Sequence, residues 1–346
     1  MEGQSGATTV KVGITGGYGF IGGWITEELQ RRGHEVLVLD HKGIGYGLYG
    51  DVRDSTIVFE LAAHSDGIIH LAAVLGTSET IDNPQPAAVT NITGTLNVFE
   101  AASRYDLPVV FAAVGNSGIG RGTYCITKTT GEQFVSMYRE DRGLRVTAVR
   151  PMNAYGPRQS APAPYGSSKV RKIVPSFVCS ALSGDPMRLY GGGRQYSDSV
   201  WVGDVARCFV AALEEAARGN VPNHPVDVGN IHPHTVLDVA QAVSEAVGGA
   251  EIEEVPMRPG EPEGGPLSRP EAVERVVQAI LSTEPSLRSI DVRRIVKQLG
   301  TVVSADTDSL HAIGIDPTTF KPLQQGINET VHWFRDHEGV TWQSPN

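Results

Sequence analysis

The chain has 346 residues, of which 40% are hydrophobic, and its formal net charge is −10 at pH 7. This length can bury a sizeable core in one large domain or two, and the acidic balance argues against a nucleic-acid or anionic-membrane partner. The 3 cysteines are too few and too scattered for a disulfide framework or a zinc site, and no run approaches the ~18 apolar residues of a membrane span. We therefore expect a soluble cytoplasmic protein without a bound metal.

A strand, a glycine-rich turn, a helix and a second strand are predicted for residues 10–40, VKVGITGGYGFIGGWITEELQRRGHEVLVLD. Gly16 permits the sharp turn, Gly19 lets the backbone approach a pyrophosphate, and Gly22 lets the helix pack closely on the strand. Glycine triplets also occur in ordinary loops. The strand before this triplet and the helix after it are, however, typical of a dinucleotide-binding turn.

The phosphates of a dinucleotide are expected at the helix N-terminus, beside Phe20 and Ile21, where unpaired N–H groups favour negative charge. Asp40 ends the second strand about where a carboxylate accepts hydrogen bonds from a ribose 2′-hydroxyl. Because an acid there repels a 2′-phosphate, we predict NAD as the cofactor. The neighbouring His41 and Lys42 leave NADP as the alternative.

Further cofactor contacts are predicted in the segments that follow. The GDVRD segment contains the acids Asp51 and Asp54, which either reach the adenine or belong to a solvated surface, and Val52 between them is a further predicted cofactor contact. A buried strand is predicted for residues 67–73, and its mostly small final residues leave room for a ligand at the carboxyl end. These final residues are Leu71, Ala72 and Ala73.

The reactive groups are expected on the helix that begins at Tyr124 and continues to about residue 139. Tyr124 and Lys128 share one helical face. A tyrosine pKa near ~10 is too high for a base at pH 7, so we expect the lysine and a positively charged nicotinamide ring to lower it. The preceding helix, predicted for residues 84–104, contains Asn91, whose buried amide needs a partner.

Taken in order, these segments resemble those of extended short-chain dehydrogenases/reductases, in the nucleotide-sugar epimerase/dehydratase family. The resemblance implies an NAD-dependent enzyme with a doubly wound parallel α/β (Rossmann) sheet, a smaller α/β substrate domain, and a further NAD contact from Pro151. The matching segments are TGGYGFIG (15–22), Asp40, GDVRD (50–54), IIHLAA (68–73), Asn91, Tyr124 with Lys128, RPMNAYGPRQ (150–159), KIVPSF (172–177), WVGDVA (201–206), VDVGN (226–230), RPGEP (258–262) and SADTDSLHAIGIDP (304–317).

The same resemblance implies a discontinuous division into domains. The NAD-binding domain is expected at residues 9–158 and about 196–232, and the substrate domain at about 159–195 and 233–340. An additional segment with helical spacing, at about residues 263–300, would be a flap over the substrate, an oligomer contact or a surface subdomain. A homodimer is implied, paired through the helices at 84–104 and 124–139.

A nucleotide-sugar substrate is also implied by the resemblance. Its diphosphate or sugar is assigned to four polar residues, namely Asn153, Lys172, Arg194 and Arg258. Family members usually end the fourth strand with serine or threonine, one of which assists the tyrosine, but residues 111–114 here read FAAV. Asn116 or Ser117 could supply the missing hydrogen bond.

Three functions remain open. A 4-epimerase needs only the tyrosine, the lysine and room for a 4-keto sugar to turn, so this simplest reaction is preferred. A dehydratase or decarboxylase of the same family needs further groups, usually an acid near residues 114–117, and this stretch has none. A non-catalytic protein that binds NAD or nucleotide sugars is the third alternative.

Overall fold

The computed structural model describes residues 9–43, 47–76, 79–115, 122–256, 270–289, 291–293, 296 and 305–337. The described strands are β1 (Lys11–Thr15), β2 (Glu35–Asp40), β3 (Gly47–Tyr49), β4 (Gly67–His70), β5 (Val109–Ala112), β6 (Val146–Pro151), β7 (Asn153–Tyr155), β8 (Met187–Tyr190), β9 (Ser199–Trp201), β10 (Val226–Val228) and β11 (Ile252–Val255). The described α-helices are α1 (Phe20–Arg31), α2 (Ser55–Ala63), α3 (Gln85–Ala88), α4 (Gly94–Tyr105), α5 (Thr123–Arg142), α6 (Ile173–Ser183), α7 (Val202–Ala217), α8 (Val236–Val247), α9 (Pro270–Thr283) and α10 (Leu323–Asp336).

A seven-stranded sheet forms the centre of the molecule, in the order β10-β6-β5-β4-β1-β2-β3, and every pair in it is parallel. The chain order reverses between β1 and β4. Ligands of such sheets bind outside the carboxyl ends of the strands at this reversal. The predicted doubly wound α/β fold is confirmed.

Helices cover both faces of the sheet, which explains why its strands are apolar without alternation. Successive residues point to opposite faces, so Val109 packs with α2, α4 and α5 while Val110 packs with α1 and α7. Ile68 packs on the same face as Val109, and Ile69 packs on the same face as Val110. Both cores are buried, and the loops at the strand ends are therefore held on a rigid support.

A further apolar core, separate from the two on the faces of the sheet, lies among α6, α8 and α10. Two short parallel pairs accompany it, β8 with β11 and β7 with β9. The additional segment contributes α9, where Val273 and Val277 pack against Val292 and Val296. Within the additional segment, residues 263–269, 290, 294, 295 and 297–300 lie outside the described residues. In the part of the chain that the structure describes, no helix is both long and apolar enough to cross a bilayer.

The long helix predicted for residues 84–104 is interrupted. Between α3 and α4 the chain forms one π-helical turn, Val89–Thr93, and Asn91 lies at its centre. Such turns are rare and often occur at functional sites. The strand predicted for residues 67–73 also ends earlier, at His70, which leaves its last three residues as a loop at the carboxyl edge of the sheet.

Candidate functional site

The glycine turn between β1 and α1 is closely packed. Gly16 has a φ of +75°, and a Cβ atom on it would lie 2.8 Å from the amide nitrogen of Ala72. A Cβ on Gly22 would lie 2.5 Å from the carbonyl oxygen of Gly16. Gly19 begins α1 without a side-chain hydrogen bond to the first turn, so no side chain occupies the amide groups that would face a pyrophosphate. Phe20 and Ile21 form the start of this helix, as predicted.

Asp40, the last residue of β2, is hydrogen-bonded to this turn. Its buried carboxylate accepts hydrogen bonds from the backbone N–H groups of Tyr18, at 3.1 Å, and Lys42, at 3.0 Å. His41 Nδ1 lies 3.4 Å from the same carboxylate. The negative charge is thereby fixed beside the glycine turn, at the position predicted for the adenine ribose.

Of the two cofactor contacts predicted in the GDVRD segment, Asp51 lies at the surface and Val52 lies in the core. Asp51 pairs with Arg53 at 2.6 Å, and this hydrogen-bonded guanidinium lowers the pKa of the Asp51 carboxyl. Val52 is buried against α4, where a Cβ on Gly94 would lie 2.5 Å from its side chain. Asp51 is thus the one of the two whose side chain is exposed to solvent.

The loop after β4 rests on a buried polar cluster. His70 is fully buried and hydrogen-bonds through its two ring nitrogens to Thr15, at 2.6 Å, and Thr95, at 3.1 Å. Burial lowers the pKa of His70 to about 3, so the ring is neutral near pH 7. The amide of Ala72 donates to the Thr15 hydroxyl at 3.2 Å. This cluster holds the loop of Leu71, Ala72 and Ala73 against the glycine turn.

Asn91 connects the loop after β4 to the helix α5. Its side-chain oxygen accepts from the Val74 N–H at 2.8 Å, and its Nδ2 donates to the Val74 carbonyl at 3.1 Å. The same Nδ2 donates to the Thr127 hydroxyl at 2.9 Å. Thr127 lies between Tyr124 and Lys128 on α5. The buried amide therefore finds the partners that its burial requires.

Lys128 is held at the carboxyl end of β5. Its ammonium donates to the carbonyl oxygen of Ala112 at 2.7 Å and lies 4.8 Å from the centre of the Phe111 ring. Burial lowers the pKa of Lys128 to about 7, although the charge of Glu132 opposes this shift. The lysine is therefore placed one helical turn from Tyr124, at the edge of the sheet where the glycine turn also lies.

Tyr124 is partly buried, and burial raises the pKa of its phenol above the ordinary value, with a smaller contribution from Cys125. The expectation that Lys128 and a positively charged nicotinamide ring together lower this pKa stays a prediction, because in the polypeptide alone desolvation dominates. Desolvation disfavours a charged phenolate, and Lys128 has itself lost much of its tendency to carry a charge. Sequence spacing predicted the neighbours correctly but could not predict their burial.

The end of β5 supplies no hydroxyl group within its described part. Phe111, Ala112 and Ala113 lead to Val114 and Gly115, and a Cβ on Gly115 would lie 2.6 Å from the sulfur of Met152. The candidates for the replacement hydrogen bond, Asn116 and Ser117, lie outside the described residues.

Two of the four residues predicted for the substrate have informative surroundings. Asn153 follows β6 and Pro151, and its Nδ2 donates to the Ser197 hydroxyl at 2.9 Å and to the Asp198 carbonyl at 3.1 Å. Lys172 precedes α6 and keeps contact with solvent, yet burial lowers its pKa while the charge of Glu79 opposes this shift. Lys172 is nevertheless an exposed residue. Arg194 is exposed, and Arg258 lies outside the described residues.

Comparison with known families agrees with this geometry. The profile of the NAD dependent epimerase/dehydratase family matches residues 12–229, which include the glycine turn, Tyr124 and Lys128. The chain belongs to this family. Its members are NAD-dependent enzymes that act as epimerases, dehydratases or decarboxylases, and NAD is the cofactor that the glycine turn and Asp40 fit.

Similar proteins within the family differ in the reaction named for them. The chain is 28% identical to the UDP-N-acetyl-alpha-D-glucosaminuronate decarboxylase of Bacillus cytotoxicus, over 94% of this chain and 98% of that protein. It is 26% identical to UDP-glucuronic acid decarboxylase 1 of Xenopus tropicalis, over 93% of this chain and 71% of that protein. Among solved structures, the UDP-glucose 4-epimerase of Thermus thermophilus in complex with NAD has a TM-score of 0.71 and 27% identity, covering 94% of this chain and 99% of that one.

Two residues that help to position the site, Thr127 and Asp198, were not predicted from the sequence. Thr127 lies inside the Tyr124–Lys128 turn, where its hydroxyl donates to the Tyr124 carbonyl at 2.9 Å and accepts from the distant Asn91 at 2.9 Å. Asp198 is fully buried beside Asn153. One signal was available for Asp198, since an acid directly before the apolar strand β9 is an unusual neighbour and requires a buried partner.

Proposed function

We propose that this protein is an NAD-dependent nucleotide-sugar 4-epimerase that acts through a transient 4-keto sugar. The observation that carries this proposal is the placement of Tyr124 and Lys128. They lie one helical turn apart on α5, with the Lys128 ammonium 2.7 Å from the carbonyl oxygen of Ala112 at the carboxyl edge of the sheet. This is the edge where α/β sheets bind their ligands, and the glycine turn for the cofactor lies on it.

The roles follow from the chemistry of the side chains. Tyr124 takes the proton of the sugar 4-hydroxyl as the hydride leaves C4, which gives the ketone. Return of the proton from Tyr124, with return of the hydride to the opposite face of C4, gives the epimer. NAD⁺ supplies the hydride acceptor when it is bound. Because burial raises the pKa of Tyr124, positive charge close to the phenol is required for this role.

Epimerisation leads among the alternatives because it requires no further acid or base. The described part of the loop after β5, Ala113 to Gly115, contains no titratable side chain. A 4,6-dehydratase would need an acid–base pair near the sugar. Epimerisation needs only the pair on α5 and space for the ketone to turn.

Decarboxylation is the second candidate, and the similarity to two sugar-uronate decarboxylases favours it. Oxidation at C4 of a uronate makes the C5 carboxylate a β-keto acid, which loses carbon dioxide readily. The same Tyr124 and Lys128 would therefore perform the oxidation for either reaction. The choice then depends on whether the pocket accepts a charged carboxylate at C5 or a neutral hydroxymethyl group.

We assign the diphosphate of the substrate to the predicted polar residues. The charge of Cys125, which neighbours Tyr124, acts on the exposed Lys172, and Asn153 follows the carboxyl end of β6. Arg194 and Arg258 complete the predicted set. Concentrated basic groups are needed here because the net charge of the whole chain is −10 and the chain as a whole does not attract anions. The names of the similar proteins favour uridine as the nucleoside.

We further propose that two copies pair through α3, α4 and α5. Apolar side chains are exposed on this side of the molecule, including Val89, which is 41% exposed, and Ile126, which is 55% exposed. Met137 lies on α5 eleven residues after Ile126 and is also exposed, so the two share a helical face. Large exposed apolar side chains on one surface are typical of an interaction site.

The test is incubation of the purified protein and NAD with UDP-glucose, UDP-N-acetylglucosamine and UDP-glucuronate, with the sugar followed by NMR. A new C4 epimer of either neutral sugar supports the epimerase. Release of carbon dioxide with a pentose product supports the decarboxylase, and a 4-keto-6-deoxy product supports a dehydratase. No change in any sugar, with NAD still bound, would overturn the enzymatic proposal in favour of a non-catalytic binding protein.

A further inference from the structure

A buried acid next to the predicted substrate site has an unusual partner. Asp198 is 0% exposed, and its carboxylate accepts hydrogen bonds at 2.7 Å from both the backbone N–H and the side-chain amide of Asn230. These donors are neutral. Within the described part of the chain, the ion-pair partner of Asp198 is His234, whose Nδ1 lies 3.4 Å from Oδ1. A buried carboxylate is costly unless a positive group accompanies it.

His234 is itself fixed in place. Its carbonyl oxygen accepts from the Ser197 N–H at 3.0 Å, and Tyr196 forms an antiparallel bridge with Thr235. The ring nitrogen Nδ1 is buried and makes no hydrogen bond, whereas 21% of the side chain remains exposed. One edge of the ring therefore faces Asp198 inside the protein, and the exposed part is open to a ligand.

The pair lies at the carboxyl edge of the sheet. The amide of Asn153 donates to the Asp198 carbonyl at 2.9 Å, directly after β6. A Cβ on Gly229, directly after β10, would lie 2.4 Å from the Asp198 carboxylate. Ser197 connects Asn153 and His234, because its hydroxyl accepts a hydrogen bond from the Asn153 side chain and its N–H donates to the His234 carbonyl. Asn153 and His234 thus border the same part of the edge.

We infer that His234 binds an oxyanion of the nucleotide sugar through the exposed part of its ring, while Asp198 faces the inner nitrogen Nδ1 and holds the ring in place. This inference rests on the proposed function and adds a specificity-determining residue to it. A histidine ring whose inner nitrogen faces a fixed carboxylate presents its outer nitrogen to a ligand, and hydrogen bonds to charged phosphate or carboxylate oxygens are stronger than those between neutral groups.

The oxyanion has two possible sources, the diphosphate and the carboxylate of a sugar uronate. Two probes distinguish them, since UDP-glucose carries only the first and UDP-glucuronate carries both. Binding of each probe to the NAD-loaded protein is measured by calorimetry for the wild type, His234→Gln and His234→Arg. His232→Gln is the matched control, because His232 is exposed on the same loop. Bound NAD and the unfolding temperature show that each variant is folded.

His234→Gln is expected to weaken binding by about 10-fold, the effect of losing one charged hydrogen bond. Equal weakening for both probes identifies the diphosphate, and weakening for UDP-glucuronate alone identifies the sugar carboxylate. His234→Arg should restore most of the affinity, and His232→Gln should bind like the wild type. Unchanged binding of both probes to His234→Gln, or no restoration by His234→Arg, would overturn the inference. A wild type that binds neither probe would instead overturn the nucleotide-sugar function.

Discussion

The ammonium of Lys128 lies 2.7 Å from the carbonyl oxygen of Ala112, so the last residue of β5 fixes the lysine of α5 at the carboxyl edge of the sheet. This contact joins α5 directly to β5, the strand that precedes it in the chain. It explains how a buried lysine with a pKa lowered to about 7 is retained next to Tyr124.

Stability should depend on pH through Lys128. Its folded pKa of about 7 lies below the ~10.4 of an unfolded lysine, so between these values the unfolded chain binds more protons and stability rises with pH. The free energy of unfolding, measured in urea at pH 7 and pH 9, should increase more for the wild type than for Lys128→Met. An equal pH dependence of the two proteins would show that the lysine is not buried as described.

Gly22 and Gly23 offer a matched pair for the cofactor site. A Cβ on Gly22 would lie 2.5 Å from the Gly16 carbonyl, whereas nothing lies within 4 Å of a Cβ on Gly23. Gly22→Ala should therefore distort the turn and weaken NAD binding by at least about 10-fold, equivalent to about 1.4 kcal/mol. Gly23→Ala should keep the affinity and stabilise α1 by about 0.5–1 kcal/mol. Equal NAD affinity in both variants would contradict the close packing of the turn.

Asn91 should affect turnover as well as stability. Asn91→Ala removes the bonds to both backbone groups of Val74 and to Thr127, at a cost of about 1–3 kcal/mol in the free energy of unfolding. We also expect kcat to fall, because α5 loses its connection to the loop after β4. Ser244 bonds both backbone groups of Ala250 far from α5, so Ser244→Ala is the control and should reduce stability with kcat unchanged. If Asn91→Ala lost stability but kept its kcat, Asn91 would stabilise the fold without positioning α5 for catalysis.

The proposed pairing through α5 can be tested with a charge. Ile126→Glu should convert a dimer to a monomer in light scattering, because a carboxylate is costly to bury in an apolar interface. Leu287→Glu changes another exposed apolar residue, 47% exposed, and should leave the dimer intact. A monomeric wild type, or a dimeric Ile126→Glu, would refute the pairing.

Local features of this fold could be predicted from the sequence, and long-range partners could not. The glycine turn, Asp40 and the Tyr124–Lys128 spacing depend on residues close together in the chain, where backbone geometry limits the choices. The contact between Asp198 and His234 joins two separate loops, and no periodic pattern indicates it. The same limitation explains why the raised pKa of Tyr124 in the polypeptide alone could not be predicted, since desolvation depends on packing from distant segments.

The chemical role of Tyr124 is the central claim, and Tyr138 provides its control on the same helix. Tyr138 donates to Glu100, away from the Lys128 turn, at 2.5 Å. The most direct measurement is kcat with the active nucleotide sugar for the wild type, Tyr124→Phe and Tyr138→Phe, together with bound NAD. We predict that Tyr124→Phe keeps NAD and loses about 10²–10⁴-fold in kcat, the usual contribution of a positioned acid–base group, while Tyr138→Phe turns over like the wild type. Full turnover by Tyr124→Phe would contradict the account.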